Sequence, residues 1–206
     1  MFFIMKLIVT NHSREIFNSR YVYPVVSRRA GGLSLGINLN TNNACNWQCI
    51  YCEVPDLKRG KPEPINLDQL KSELKQWLKK IIEGDFIDKH TDANTVFKDI
   101  ALSGNGEPTA CKEFSNVITI IKEEFDFYKL ASDIKIRLIT NGSYLYKKEI
   151  AAAWRGLSLE KEIWFKIDST QSDKIKIINQ VNLTTKQIKK NLNQPLLYHQ
   201  QLFKPV

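Results

Sequence analysis

Val96-Phe97-Lys98-Asp99-Ile100-Ala101-Leu102-Ser103-Gly104-Asn105-Gly106-Glu107-Pro108 decides how the chain is read. A short, largely apolar run rich in β-formers passes into a glycine-bracketed turn, and Pro108 then opens a helix at a position where its missing N–H costs nothing. The following stripe, Phe114, Val117, Ile118, Ile121 and Phe125, has helical spacing. Strand, polar turn and helix in that order make a βα unit.

The same alternation extends in both directions. Upstream, Leu33 to Leu39 reads as a first strand, and Asn66 with Gln69 three residues on reads as the N-cap of a helix. That helix carries Leu67, Leu70, Leu74, Trp77, Leu78 and Ile81 and stops at Gly84. Downstream come a strand from Ile134 to Thr140, a helix around Lys147 to Trp154, and a strand from Ile163 to Asp168. Thr184 and Gln187 then form a capping box for a helix bearing Ile188 and Leu192, and Leu196 to Phe203 is a fifth strand. The fold class is α/β with a parallel sheet, either open and doubly wound or an incomplete barrel. Ligands of such folds gather at the carboxyl ends of strands, where an unusual polar element follows each of the first four.

Composition is consistent with one globular domain: 206 residues, 43% hydrophobic and 25% charged, exclude a disordered chain. The net charge of +8 resides at the two ends. Lys and Arg exceed Asp and Glu by four over residues 1–67 and by five over 171–206, which favours an anionic partner such as a phosphate-bearing substrate or RNA. The opening Met1 to Val9 is apolar but short and interrupted by Lys6, an edge strand or packed arm rather than a signal peptide. No run approaches a membrane span, so a cytoplasmic location is expected. Residues 1–32 form an N-terminal arm and 33–206 the core.

Three of the four cysteines crowd into Cys45-Asn46-Trp47-Gln48-Cys49-Ile50-Tyr51-Cys52. C-x3-C-x2-C lets one loop wrap three thiolates around a metal centre, and three thiolates on a four-iron cube leave one iron open. Zinc would want a fourth protein ligand, and His12, His90 and Cys111 stand at no helpful spacing. Cys111 reads as a packed residue. Gly104 and Gly106 around Asn105 permit a tight turn and a close approach to a ligand, or form an ordinary turn. Asn141 beside Gly142 has the look of a strand-ending turn. Lys166 and Asp168 share one face of a strand expected to be buried, as an ion pair or as a pair facing the mouth of the fold. Arg28 and Arg29 are suited to a phosphate or carboxylate and equally to solvent.

Taken together, the cysteine spacing, Ser103 to Thr109, Ile139-Thr140-Asn141-Gly142 and Lys166-Ile167-Asp168 resemble the motifs of the radical S-adenosylmethionine superfamily, in the same order. Pro24 to Arg29 with Gly32-Leu33-Ser34-Leu35-Gly36 resembles the opening of a branch related to wyosine-type tRNA modification. The resemblance implies a partial, TIM-like parallel βα barrel of about five units, its last unit or units missing. It also implies a 4Fe-4S cluster on Cys45, Cys49 and Cys52, with S-adenosylmethionine held by Tyr51, Gly104, Asn105, Gly106, Glu107, Asn141, Lys166 and Asp168. Glu107 would meet the ammonium group and Tyr51 the adenine. Reductive cleavage would yield a 5′-deoxyadenosyl radical that takes hydrogen from an anionic or tRNA substrate, with Arg28 and Arg29 at the substrate and a flavodoxin- or ferredoxin-type protein as electron donor. A truncated inactive relative and a metal-stabilised RNA-binding module are the alternatives.

Overall fold

The computed structural model describes residues 6–8 and 19–192. A five-stranded sheet in the order β1-β2-β5-β6-β7 is built from β1 (Val22–Ser27), β2 (Gly32–Ile37), β5 (Phe97–Leu102), β6 (Lys135–Thr140) and β7 (Lys161–Phe165). β1 pairs antiparallel with β2, and every other pairing in the sheet is parallel. Two-residue strands β3 (Ala44–Cys45) and β4 (Lys58–Arg59) clip the cysteine loop to the polar segment that follows it. The helices are α1 (Leu67–Ile82), α2 (Phe86–His90), α3 (Phe114–Phe127), α4 (Lys148–Gly156), α5 (Ser172–Asn179) and α6 (Thr185–Leu192).

The parallel sheet and its crossover helices follow from hydrophobic period. Leu33, Leu35 and Ile37 of β2, Ile100 and Leu102 of β5, Ile136 and Leu138 of β6, and Ile163 and Phe165 of β7 alternate onto one face. There they bury against Leu70, Leu74, Trp77 and Leu78 of α1, Phe114, Val117 and Ile121 of α3, and Ile150 and Trp154 of α4. Asn66 caps α1, its side chain accepting from Gln69 N at 3.0 Å. The Thr184 box ahead of α6 is reciprocal: Gln187 N donates to Thr184 Oγ1 at 3.2 Å, and Thr184 N donates to Gln187 Oε1 at 2.8 Å.

Three differences from the sequence reading bear on the site. β1 lies within the segment assigned to an N-terminal arm, yet it supplies an edge of the central sheet. The opposite sheet face is not apolar: Ser34, Gly36, Asp99, Ala101, Arg137, Glu162 and Trp164 occupy it. β7 ends at Phe165, so Lys166 and Asp168 stand just beyond its carboxyl end rather than within a strand. Among the described residues the sheet is open, with β1 and β7 as its edges, and no closed barrel forms. The strand expected over 196–203 lies outside the described residues. Leu7 is buried, and its N–H donates to His90 O at 2.6 Å, which packs this part of the opening segment against the end of α2.

Candidate functional site

The carboxyl ends of the parallel strands converge on the cysteine loop. Cys45, Cys49 and Cys52 line one cavity of about 230 Å³ together with Gly104, Asn105, Gly106, Glu107, Asn141 and Lys166. These residues come from four separate stretches of sequence. Lattice-like side-chain bonding among asparagines brings them together. Asn38 Oδ1 accepts from the backbone N–H of Asn40 and of Asn105, each at 3.0 Å, which ties the end of β2 to the glycine turn. Asn40 Nδ2 donates to Ala44 O at 2.9 Å, Asn105 Nδ2 to Asn43 Oδ1 at 2.6 Å, and Asn141 Nδ2 to Asn46 Oδ1 at 3.0 Å.

This lattice gives the glycines a role beyond ligand approach. A Cβ on Gly104 would stand 2.2 Å from Asn38 Oδ1, and one on Gly106 would stand 2.3 Å from Ala44 O. The two turns are in backbone-to-side-chain contact, and only glycine fits.

Glu107 is 2% exposed and its carboxylate is already committed. It accepts from Thr109 N at 3.1 Å, Thr140 Oγ1 at 2.6 Å and Asn141 N at 2.7 Å, and from the Thr109 hydroxyl. Burial pushes its carboxyl above the usual range, while these donors oppose that rise. The side chain therefore couples the β5 turn to the end of β6, the place where Asn141 is presented.

A second group surrounds Cys49. Lys166 Nζ and Asn179 Nδ2 both approach Cys49 Sγ at 3.2 Å. Asn179 Nδ2 also donates to Asp168 Oδ2 at 2.5 Å, and Tyr51 Oη donates to the same carboxylate oxygen at 2.6 Å. Lys166 Nζ lies 4.3 Å from the Tyr51 ring centroid and 4.0 Å from Asp168. Burial, then the bond to Asp168, holds the Tyr51 phenol well above its ordinary value. Burial also raises the Cys45 thiol, although Trp47 N donates to its sulfur at 3.5 Å. The Cys111 thiol, buried near the start of α3 and bonded to Glu113, is pushed up to about 12 and stays apart from the cavity, as a packed residue should.

Asn179 is the functional residue that sequence reasoning missed. It is 1% exposed and ends α5, whose backbone docks the cysteine loop through Gln48 N to Asn179 O at 3.1 Å and Ile50 N to Ile178 O at 2.9 Å. Its Oδ1 and that of Asn105 are buried with no hydrogen-bond partner among the described residues. Exchanging O and N at Asn179 would set its carbonyl against the Asp168 carboxylate, so the acceptor orientation is fixed. Both acceptors stand close to the thiols, Asn105 in the cavity lining and Asn179 against Cys49. The only advance signal is the asparagine run from Asn38 to Asn43; nothing local marks Asn179.

Arg28 and Arg29 do not join this group. The antiparallel register puts Ser27 opposite Gly32, so the two arginines stand at the amino ends of the parallel strands, away from the thiols.

Thiolates around one zinc ion, at about 2.3 Å from it, would have to converge closely. Among the described residues no group of three or more His, Cys, Asp and Glu side chains is gathered to hold a metal ion. A multi-iron cluster, in which each thiolate takes its own iron, does not need that convergence, and its fit here rests on the three thiols facing one cavity.

No protein-family model matches the chain. It is 30% identical over 180 residues to a GTPase Obg of Brachyspira hyodysenteriae, covering 85% of this chain and 23% of that protein. It is also 30% identical over 140 residues to UPF0026 proteins of two Helicobacter pylori strains, covering 67% of this chain and 40% of theirs. The chain thus spans less than half the length of the curated relatives it matches. These names overturn the assignment to the radical S-adenosylmethionine superfamily and its tRNA-modification branch. The expected radical reaction, and the radical-enzyme, oxidoreductase and tRNA-modification description that accompanied it, are withdrawn with that assignment, and no gathered group of metal-ligating side chains among the described residues supports its metal-binding part. The motifs remain as residues around a cavity.

Proposed function

We propose that the chain is a cofactor-dependent enzyme whose site is the thiol-lined cavity at the carboxyl ends of β2, β5, β6 and β7. The cofactors are a 4Fe-4S cluster on Cys45, Cys49 and Cys52 and, beside it, S-adenosylmethionine or a ligand of the same zwitterionic amino-acid and nucleoside chemistry. When bound, such a cluster supplies electron transfer. The chain's own residues orient: Asn105 Oδ1 and the glycine turn offer acceptors, Asn141 is held in place by Glu107, and Lys166 offers a cation beside Cys49. Tyr51 and Asp168, bonded to each other, stand beside Cys49 and Lys166.

The observation that carries this reading is the meeting of three thiols with polar groups from three other stretches of sequence in one cavity, beside the buried, unpartnered Asn105 Oδ1. In this reading the sheet, with helices on one face and polar residues on the other, is the wall of an incomplete TIM-like barrel. A cytoplasmic location, a flavodoxin- or ferredoxin-type donor and an anionic or RNA substrate belong to the same proposal. GTP hydrolysis does not provide a second reading, because the 206 residues contain no G-x-x-x-x-G-K-[ST] loop to cradle phosphates.

Oxygen-free incubation with ferrous iron and sulfide, followed by desalting, tests the proposal. The expected result is about four irons per chain, lost in the Cys45→Ala/Cys49→Ala/Cys52→Ala variant. Equilibrium dialysis of labelled S-adenosylmethionine should show binding to the loaded protein that weakens in Asn141→Ala. Uptake of zinc with no retained iron overturns the cluster, and loading without ligand binding overturns the second cofactor.

A further inference from the structure

Three thiols line the cavity, but their sulfur atoms are not alike. Cys52 is exposed, and Cys45 Sγ accepts one long contact, from Trp47 N at 3.5 Å. Cys49 Sγ accepts two shorter ones, from Lys166 Nζ and Asn179 Nδ2, each at 3.2 Å. The Asn179 amide is not free to turn away. Its NH₂ group also donates to Asp168 Oδ2 at 2.5 Å, the residue is 1% exposed, and Gln180 after it takes the left-handed φ of +52° that ends α5. Arg59 of β4 donates to Gln180 O, and Gln48 N donates to Asn179 O at 3.1 Å, so two stretches around the thiols hold this helix end. Lys166 is held likewise, with Nζ 4.3 Å from the Tyr51 ring centroid and 4.0 Å from Asp168.

This asymmetry has a consequence for a thiolate that carries iron. Hydrogen-bond donors to a ligating sulfur, and a cation beside it, stabilise the more negative state and so raise the reduction potential. We infer that Asn179 and Lys166 are positioning residues that set the reduction potential through the Cys49 sulfur, with Asp168 aiming the amide, a role that rests on the cluster proposed above. The step they tune is a one-electron reduction. Its electron comes from a low-potential donor, and neither side chain makes or breaks a bond in it. Cys49, rather than Cys45 or Cys52, is the ligand through which the polypeptide acts on the electronics of the site.

Oxygen-free loading of the full chain with ferrous iron and sulfide, an iron count and film voltammetry test it. Asn179→Leu keeps the backbone docking and removes the amide, and should bind about as much iron as the unsubstituted protein. At the unsubstituted midpoint its ratio of reduced to oxidised cluster should fall about ten-fold, equal to a shift of about 59 mV for one electron. Lys166→Met should shift the potential in the same direction, and Lys166→Arg, which keeps a charged donor, should restore most of it. The sign separates tuning from loosened packing, because water admitted to the site favours the more negative, reduced state and moves the potential up. Retained iron with an unmoved or raised potential in either Asn179→Leu or Lys166→Met overturns the inference and leaves the cluster standing. No retained iron in the unsubstituted protein overturns the cluster and the inference together. If Asn179→Leu fails to fold, the comparison of Lys166→Met with Lys166→Arg decides alone.

Discussion

Glu107 shows how one side chain can look like a ligand group and serve the scaffold. It follows a glycine turn at the end of a strand, which is where a substrate-facing carboxylate belongs in an α/β fold. The structure instead surrounds it with donors from Thr109, Thr140 and Asn141, and these partners are invisible locally because two of them lie more than thirty residues away. Burial raises its carboxyl above the unfolded value. A carboxyl raised in the folded state holds its proton more tightly there, so its contribution is most favourable below the unfolded pKa. That contribution is lost as pH rises through the folded value. Glu107→Gln should therefore flatten the decline of melting temperature as pH rises above the ordinary carboxyl value of 4.5, relative to the unsubstituted protein. An equal slope in both, measured by thermal denaturation in matched ionic strength, would show that the carboxylate is ionised at no cost. Cys45, Cys49 and Cys52 were legible by contrast, because their spacing within one loop is a local property.

The expected helix at α1 is found where its local signals put it, and α1 also marks the boundary of such reading. Its apolar stripe and its Asn66 cap lie within a few residues of each other, whereas nothing local in the helix marks Glu73. Folded, Glu73 is 9% exposed, and its carboxylate accepts from three successive backbone N–H groups at the start of β1: Arg20 at 3.1 Å, Tyr21 at 2.8 Å and Val22 at 3.1 Å. This contact pins the antiparallel edge strand to the helix layer, across a separation of about fifty residues. Glu73→Ala would leave those donors without their acceptor and should cost about 3 kcal/mol of unfolding free energy. Glu73→Gln, which keeps one acceptor oxygen, should lose less. Urea denaturation followed by circular dichroism measures both, and equal losses would mean that packing rather than the carboxylate holds β1. The docking of the cysteine loop on α5 was hidden for the same reason: its bonds join residues 48 and 50 to 178 and 179.

At the scale of the whole molecule the sheet divides an apolar, helix-covered face from a charged one, and the charged face raises the question of why it exists. Asp99, Arg137 and Glu162 stand on three adjacent parallel strands, with Arg137 Nε donating to Glu162 Oε2 at 3.0 Å and its Nη1 donating to Asp99. Ser34 donates to Asp99 from the fourth strand. The alternation Asp99–Ala101, Arg137–Ile139 and Glu162–Trp164 was present in the sequence, but what makes it a network depends on strand order: Arg137 stands opposite Glu162, and Asp99 stands opposite Lys135, two residues before Arg137. Burial works to raise the Glu162 carboxyl, yet the Lys135, Arg137 and Trp164 donors outweigh it and hold it down at about 2. A depressed carboxyl stabilises the fold above its unfolded pKa, and that stability is lost as pH falls from about 4.5 toward 2. Removing the central cation is the harsher change: Arg137→Met leaves two buried carboxylates facing each other and should cost roughly 3–5 kcal/mol at pH 7. Replacing all three charges, as Asp99→Leu/Arg137→Met/Glu162→Leu, removes the desolvation cost together with the attraction and should return stability to within about 1 kcal/mol of the starting protein. Chemical denaturation of both variants makes the comparison. Recovery of stability in the triple variant would show that the charges are not needed for the fold; stability as low as that of Arg137→Met would show that the network is structural.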